Sequence, residues 1–192
     1  YKSGVLNCLQ HMGAMGYREF EILVTQPHFW ATDFSANERR DIPKKLADEG
    51  LHVTSVNIPG IDNNIVSGTR EMREFTIKVL SDLVDICGDW NIPYCIFVPG
   101  RTIPLFPLPK WQLTEWFVEG MTILAQRASN QGVTMLIENV PNTWIPRAEN
   151  VIEAIDAVGR DDIGVIYDVA NASFAGEDPS EGVKIVKDRL KL

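Results

Sequence analysis

One phrase recurs along this chain: a helix with an apolar stripe, a Gly or Asn break, then a short run of strand-forming residues. "CLQHMGAMGYREFEILV" is the first instance, with a strand at 19–24, and "KKLADEGLHVTSVNIPG" is the second, with a strand at 51–58. "LSDLVDICGDWNIPYCIFVPG" ends on a third at 94–98, and "ILAQRASNQGVTMLIENV" on a fourth at 133–137. "VIEAIDAVGRDDIGVIYDVAN" supplies the fifth at 164–168. The runs are spaced roughly 30–42 residues apart, the length of one βα unit. A last helix is expected from Pro179 to about Leu190, with Glu181 in its first turn and a basic end, which makes about six helices.

The runs "YCIFV", "TMLI" and "GVIY" are apolar on both faces instead of alternating, as expected of parallel strands covered by helices. The whole chain, 1–192, therefore reads as one α/β domain with about five parallel strands. An open doubly wound sheet and a closed (β/α)8 TIM barrel compete. No G-x-G-x-x-G follows a strand and no G-x-x-x-x-G-K-[ST] occurs, so a nucleotide-binding open sheet loses its main support. Polar residues gather after the strands: Gln26–Pro27–His28, Asn57, Gly100–Arg101, Glu138–Asn139, and Asp168 with Asn171. On a barrel they would converge on one rim, where such folds build their sites. On an open sheet they would spread along an edge roughly 20 Å long, at about 4.8 Å per strand. The barrel accounts better for the pattern, and five strands leave it incomplete.

Bulk properties exclude some functions. A net charge of −8 and a pI near 4.9 argue against a nucleic-acid surface, which needs a basic stripe. No run approaches the ~18 apolar residues of a membrane span, and no secretory leader is visible. Cys8, Cys87 and Cys95 are odd in number and lack C-x-x-C spacing, so they read as reduced core thiols of a cytoplasmic protein.

Glu138 and Asp168 end successive strands. A lone buried carboxylate costs several kcal/mol unless it is paired or coordinated, and two at adjacent tips, about 5–7 Å apart, would raise one pKa. One divalent cation between them resolves the conflict, with Mg²⁺, Mn²⁺ or Co²⁺ favoured by hard oxygens and Zn²⁺ open if a histidine joins. The plainer account pairs Glu138 with Arg101, or has it cap a helix, and gives Asp168 an Asx turn onto "VAN". Other tip residues are candidates for substrate contact, each with a structural alternative. His28 touches ligand or is a solvated loop residue, and Trp30 and Trp144 stack on a sugar's apolar face or pack their loops. Arg101 binds an anionic group or makes a surface ion pair, while Asn57, Asn139 and Asn171 serve substrate or support the carboxylates. Trp90, Trp111 and Trp116 read as helix packing, and "RTIPLFPLPKW" (101–111) as an extended loop over the rim, a lid or partner contact.

Together "MGYREFEI", "LHVTSVNIPG", "IPYCIFVPG", "GVTMLIENVP" and "IGVIYDVANA" resemble strands two to six of the xylose isomerase-like TIM barrels. That superfamily holds sugar isomerases, sugar and sugar-phosphate epimerases, inosose dehydratases, hydroxypyruvate isomerases and endonuclease IV-type repair enzymes. The resemblance implies that Glu138 and Asp168 are metal ligands from strands five and six, completed by a histidine on strand seven and a glutamate on strand eight. Strands one, seven and eight are not in the chain, which therefore reads as a fragment.

The repair branch needs histidines at positions that here read Asn57, Val98 and Asn171. A valine cannot bind zinc and an amide binds it poorly, so DNA cleavage is disfavoured. The resemblance then implies a metal-dependent isomerase or epimerase of a sugar, sugar phosphate or polyol. In that chemistry Glu138 is both ligand and acid/base, working through an enediolate. A dehydratase on the same scaffold and a barrel that binds ligand without turnover are the rivals. A small-molecule carbohydrate partner is implied, and homo-oligomer formation is left open.

Overall fold

The structure, a computed structural model, describes residues 3–60 and 62–192. Five strands form one parallel sheet: β1 (Glu19–Leu23), β2 (His52–Ile58), β3 (Tyr94–Phe97), β4 (Thr134–Glu138) and β5 (Ile163–Ile166). Their order in the sheet is the order in the chain. A doubly wound sheet reverses direction at a switch point, whereas a barrel wall adds each strand beside the last. The arrangement is therefore that of a barrel wall, and the sheet is not closed.

Seven α-helices lie along it among the described residues: α1 (Val5–Ala14), α2 (Ala36–Asp48), α3 (Arg70–Trp90), α4 (Lys110–Asn130), α5 (Ala148–Val158), α6 (Val169–Phe174) and α7 (Pro179–Val186). Local sequence explains their ends. Ser35 starts α2 with a capping box, its Oγ accepting from Glu38 N at 3.3 Å while Glu38 Oε2 accepts from Ser35 N at 2.9 Å. The Asn and Gly breaks are left-handed caps: Asn91 ends α3 at φ 54° and Gly159 ends α5 at φ 71°.

The core lies between the helices and one face of the sheet. Val56, Phe97, Met135, Ile137 and Val165 pack there against residues such as Leu80, Phe117, Met121 and Val151. Alternation turns their strand neighbours to the other face. There Ile96 and Leu136, fully buried, lie beside the polar set Glu21, Ser55 and Asn57.

Two sequence expectations change. The short helix α6 adds to the about six helices anticipated, because Asp168 caps a new turn directly after β5. The last helix stops at Val186, not near Leu190. Residues 189–192 instead pair in parallel with β5: Val165 N donates to Arg189 O at 2.9 Å, Lys191 N to Val165 O at 2.9 Å, and Tyr167 N to Leu192 O at 3.1 Å. The strand edge offers unpaired backbone groups that outcompete further helix. Of the cysteines, Cys87 and Cys95 are buried as expected, whereas Cys8 on α1 is only half-buried. Trp90 is core, Trp116 lies under the Arg73 guanidinium at 4.1 Å, and Trp111 is exposed. No helix among the described residues is long and apolar enough to cross a membrane.

One half-buried bond fixes the end of β5. The Tyr167 hydroxyl donates to Glu177 Oε2 at 2.9 Å, and the Glu177 carboxylate accepts from Ala148 N, at the start of α5, at 3.1 and 3.2 Å. Gly182 of α7 makes room for that hydroxyl, which a Cβ would overlap. Glycine to alanine in a helix ordinarily stabilises by about 1 kcal/mol. Here Gly182→Ala is expected to destabilise by about 1–3 kcal/mol through overpacking, read as a lower urea midpoint. A raised midpoint would mean that Tyr167 moves aside freely.

Candidate active site

Glu138 is the last residue of β4, and Asp168 follows β5 by two residues. Their strands are neighbours, with Glu138 opposite Ile166. The ladder is prolonged past its backbone pairs by a side chain: Asn139, fully buried, accepts from Asp168 N at 2.8 Å and donates to Asp168 O at 2.9 Å. A side-chain amide is thus used as one more strand residue, and it holds Asp168 beside Glu138.

Asp168 divides its carboxylate. Oδ1 caps α6, accepting from Ala170 N and Asn171 N at 2.8 Å each. The Asx-type cap considered for "DVAN" is therefore present, and it leaves Oδ2 without a hydrogen-bond partner among the described residues. Asn171, one turn into α6, sends its Nδ2 to Glu138 Oε1 at 3.2 Å. The alternative pairing of Glu138 with Arg101 is not seen.

The sequence reading missed Glu21. It sits on β1, where Oε2 accepts from Ser55 Oγ at 2.7 Å and Oε1 from Asn57 Nδ2 at 3.3 Å. The signal was available in "EFEIL", where an acid alternates with Phe20 and Ile22 inside a strand. Glu138 feels this residue. Burial first, then the charges of Asp168 and Glu21, push its carboxyl from the ordinary 4.5 up to about 7, while the Asn57 amide draws it partly back.

Five predicted residues, Glu138, Asp168, Asn57, Asn139 and Asn171, thus fall into one hydrogen-bonded and electrostatic cluster. The other four have different partners. His28 Nδ1 lies 3.1 Å from Ser3 O, and its own carbonyl accepts from Val5 N, tying it to the start of α1. Trp30 packs against the core and lines a crevice beside α1 and α2. The Trp144 indole donates to Pro99 O at 3.0 Å and sets its ring edge-on to Phe117, so it braces two rim loops. Arg101 bridges to Thr143 through its backbone, its carbonyl accepts from Asn64 Nδ2 at 2.9 Å, and its side chain is exposed. Beyond it Ile103, Leu105 and Phe106 project into solvent from the 101–111 loop.

Two hard oxygen donors, Glu138 and the free Oδ2 of Asp168, suit a divalent cation in kind. They fill only part of a coordination shell, and among the described residues no group of three His, Cys, Asp or Glu side chains is placed to hold a metal. Without a cation the cluster concentrates negative charge and keeps Glu138 ready to bind a proton near neutrality.

A parallel barrel wall with acidic tips defines the class, and the sequence match agrees. The chain belongs to the xylose isomerase-like TIM barrel family, whose profile matches residues 9–192. It is similar in fold to a D-psicose 3-epimerase crystallised in the presence of D-fructose, with TM-score 0.83 and 16% identity over 98% of this chain and 66% of that one. It is similar also to 3-keto-D-glucoside 4-epimerase from E. coli, with TM-score 0.81 and 16% identity over 99% and 73% of the two chains. A xylose isomerase-like TIM barrel protein from Mycobacterium smegmatis in complex with magnesium gives TM-score 0.74 and 18% identity over 94% and 62%. At such identities the likeness is one of fold. The chain spans between 62% and 73% of the length of these three structures. No curated protein sequence matches it.

The raised carboxyl has a sign that can be checked. Below pH 4.5 Glu138 is protonated in both folded and unfolded chains, and no penalty applies. Between 4.5 and 7 the unfolded chain ionises it and the folded one does not, so stability falls as pH rises. The loss approaches about 3 kcal/mol at most, at 1.36 kcal/mol per pKa unit. In chelated buffer, Glu138→Gln is expected to match the wild type near pH 4.5 and to exceed it in melting temperature above pH 7. Parallel melting curves across that range would contradict the burial of this charge.

Proposed function

We propose that this chain carries the acid/base and part of the metal-binding apparatus of an isomerase or epimerase acting on a sugar, sugar phosphate or polyol-like carbonyl compound. The observation that carries the proposal is Glu138, half-buried at a strand tip, its carboxyl raised to about 7 by burial first and then by the charges of Asp168 and Glu21. An acid/base catalyst works best with a pKa near the operating pH. The fold it shares with sugar epimerases supports the same chemistry.

In this reading the Glu138 carboxylate removes the proton from the carbon beside the carbonyl. The electron pair moves into the carbonyl group to give an enediolate, and reprotonation yields the isomer or epimer. Asn171 holds Oε1 of Glu138 so that the other oxygen faces the substrate. Asn139 and the α6 cap keep Asp168 from turning away. Glu138 and Asp168 are the residues that would hold a divalent cation, with Mn²⁺, Mg²⁺ or Co²⁺ favoured. Bound there, the cation supplies Lewis-acid stabilisation of the oxyanion charge. Asn57 and Asn171 contact the substrate or hold Glu138, and Arg101, His28, Trp30 and Trp144 contribute from the loops only through a larger ligand.

The test uses two conservative variants. Asp168→Asn keeps a capping oxygen for α6 but removes the charge, since Asn caps as well as Asp. Manganese is expected to raise the melting temperature of the wild type and to leave Asp168→Asn and Glu138→Gln unmoved. With ketohexoses in D₂O, the wild type is expected to place solvent deuterium at the carbon next to the carbonyl without loss of water. Glu138→Gln should slow this by roughly 10²–10⁴-fold. Loss of water with exchange would identify a dehydratase instead, and metal binding without exchange a non-catalytic barrel.

A further inference from the structure

Beyond the charge that helps raise the Glu138 carboxyl, Glu21 is engaged in an arrangement that the proposed chemistry does not use. Regular pairing of β1 with β2 would set Glu21 opposite Thr54. The register instead slips between Phe20 and Glu21: Phe20 pairs with Val53 but Glu21 with Ser55. Thr54, left over, donates its Oγ1 to Phe20 O at 3.1 Å. Such bulges re-aim side chains next to functional sites. This one places Ser55, which is 1% exposed, and Asn57 where both reach the Glu21 carboxylate.

The hydrogen-bond inventory then has one solution. An ionised carboxylate only accepts. Ser55 gives its single proton to Oε2, and Asn57 must turn its NH₂ side toward Oε1. Its carbonyl oxygen is therefore turned away from the Glu21 carboxylate. That oxygen has no hydrogen-bond partner among the described residues and is not sealed in the core. A carbonyl oxygen in this position accepts from a hydroxyl.

We infer that Glu21 is a positioning residue, which locks the Asn57 amide so that the sheet face carrying Glu138 presents an acceptor oxygen, and that the substrate offers a hydroxyl donor to it. The first half stands on geometry alone, and the second rests on the function proposed above. Asn57 thereby selects for a hydroxylated ligand over a deoxy analogue at that position. Glu21 touches neither the substrate nor the reacting atoms.

The experiment separates the halves. Side-chain amide NMR of the full chain, with Asn57 identified by loss of its signal in Asn57→Ser, reads the lock directly. In the wild type the Asn57 NH₂ is expected to be protected from exchange. Glu21→Gln, whose amide accepts either orientation, should reduce that protection by about tenfold or more, the worth of a hydrogen bond to a charged group. Ser55→Ala, which frees one carboxylate oxygen, should give a smaller loss. Manganese affinity in Glu21→Gln should fall by no more than about 10–100-fold, the cost of losing an outer partner, and stay above that of Glu138→Gln. With D-fructose or D-psicose as probe, Glu21→Gln should raise KM by about tenfold and shift the pH profile of kcat to lower pH, since one of the charges that raise the Glu138 carboxyl is gone. An unchanged Asn57 signal in Glu21→Gln overturns the inference. So does manganese affinity reduced to that of Glu138→Gln, which would make Glu21 a ligand. If neither sugar exchanges deuterium, the proposed function fails for these substrates, and the amide spectrum still decides the role of Glu21.

Discussion

Like charges brought together at the ends of neighbouring parallel strands are the constraint from which the rest of this structure follows. Glu138, Asp168 and Glu21 come from three separate strands or their ends, and each would be better solvated apart. The fold holds them by supplying donors. Asn139 joins Asp168 to the β4–β5 ladder with two hydrogen bonds, α6 offers two backbone N–H groups to Oδ1, and Asn171, Asn57 and Ser55 turn their donors toward the other acids. Amides suit this task because they stabilise charge without adding any. What they leave uncompensated appears as the raised carboxyl of Glu138.

The same economy bears on the residues that set this chain apart from the DNA-repair branch of the superfamily its sequence resembles. Asn57 and Asn171 stand where zinc-binding imidazoles would be required, and in the structure both are donors to carboxylates. An amide in that role cannot also serve as a good zinc ligand. The net charge of −8 points the same way. In the function proposed, this rim would hold a single cation and a polar small molecule, with Asn57 the residue that would read the ligand's hydroxyl pattern.

The support of the site extends well behind it. Tyr167 and Glu177 connect the end of β5 to the starts of α5 and α7, and Gly182 leaves the space they need. Trp144 and Arg101, both considered as ligand contacts from sequence, brace the loops after β3 and β4 through backbone groups. Both assignments place a polar group at a strand end, so position alone could not separate them. The indole N–H of Trp144 found a buried carbonyl, and the guanidinium of Arg101 stayed in water.

The sequence by itself determined the repeat, its βα period, the sequential parallel sheet and the two acids at successive strand tips. Those features follow from hydrophobic pattern and local cap chemistry, which act over a few residues. The left-handed Asn91 and Gly159 show how literally such breaks are read. Only the tertiary structure decided that Glu21 joins the site. Its partners lie 34 and 36 residues away, and a one-residue bulge in β2 sets their register. The end of the last helix was likewise a tertiary matter, because residues 189–192 pair in parallel with β5 instead of continuing the helix. Pairing across strands depends on which edges happen to meet, and no local pattern records that.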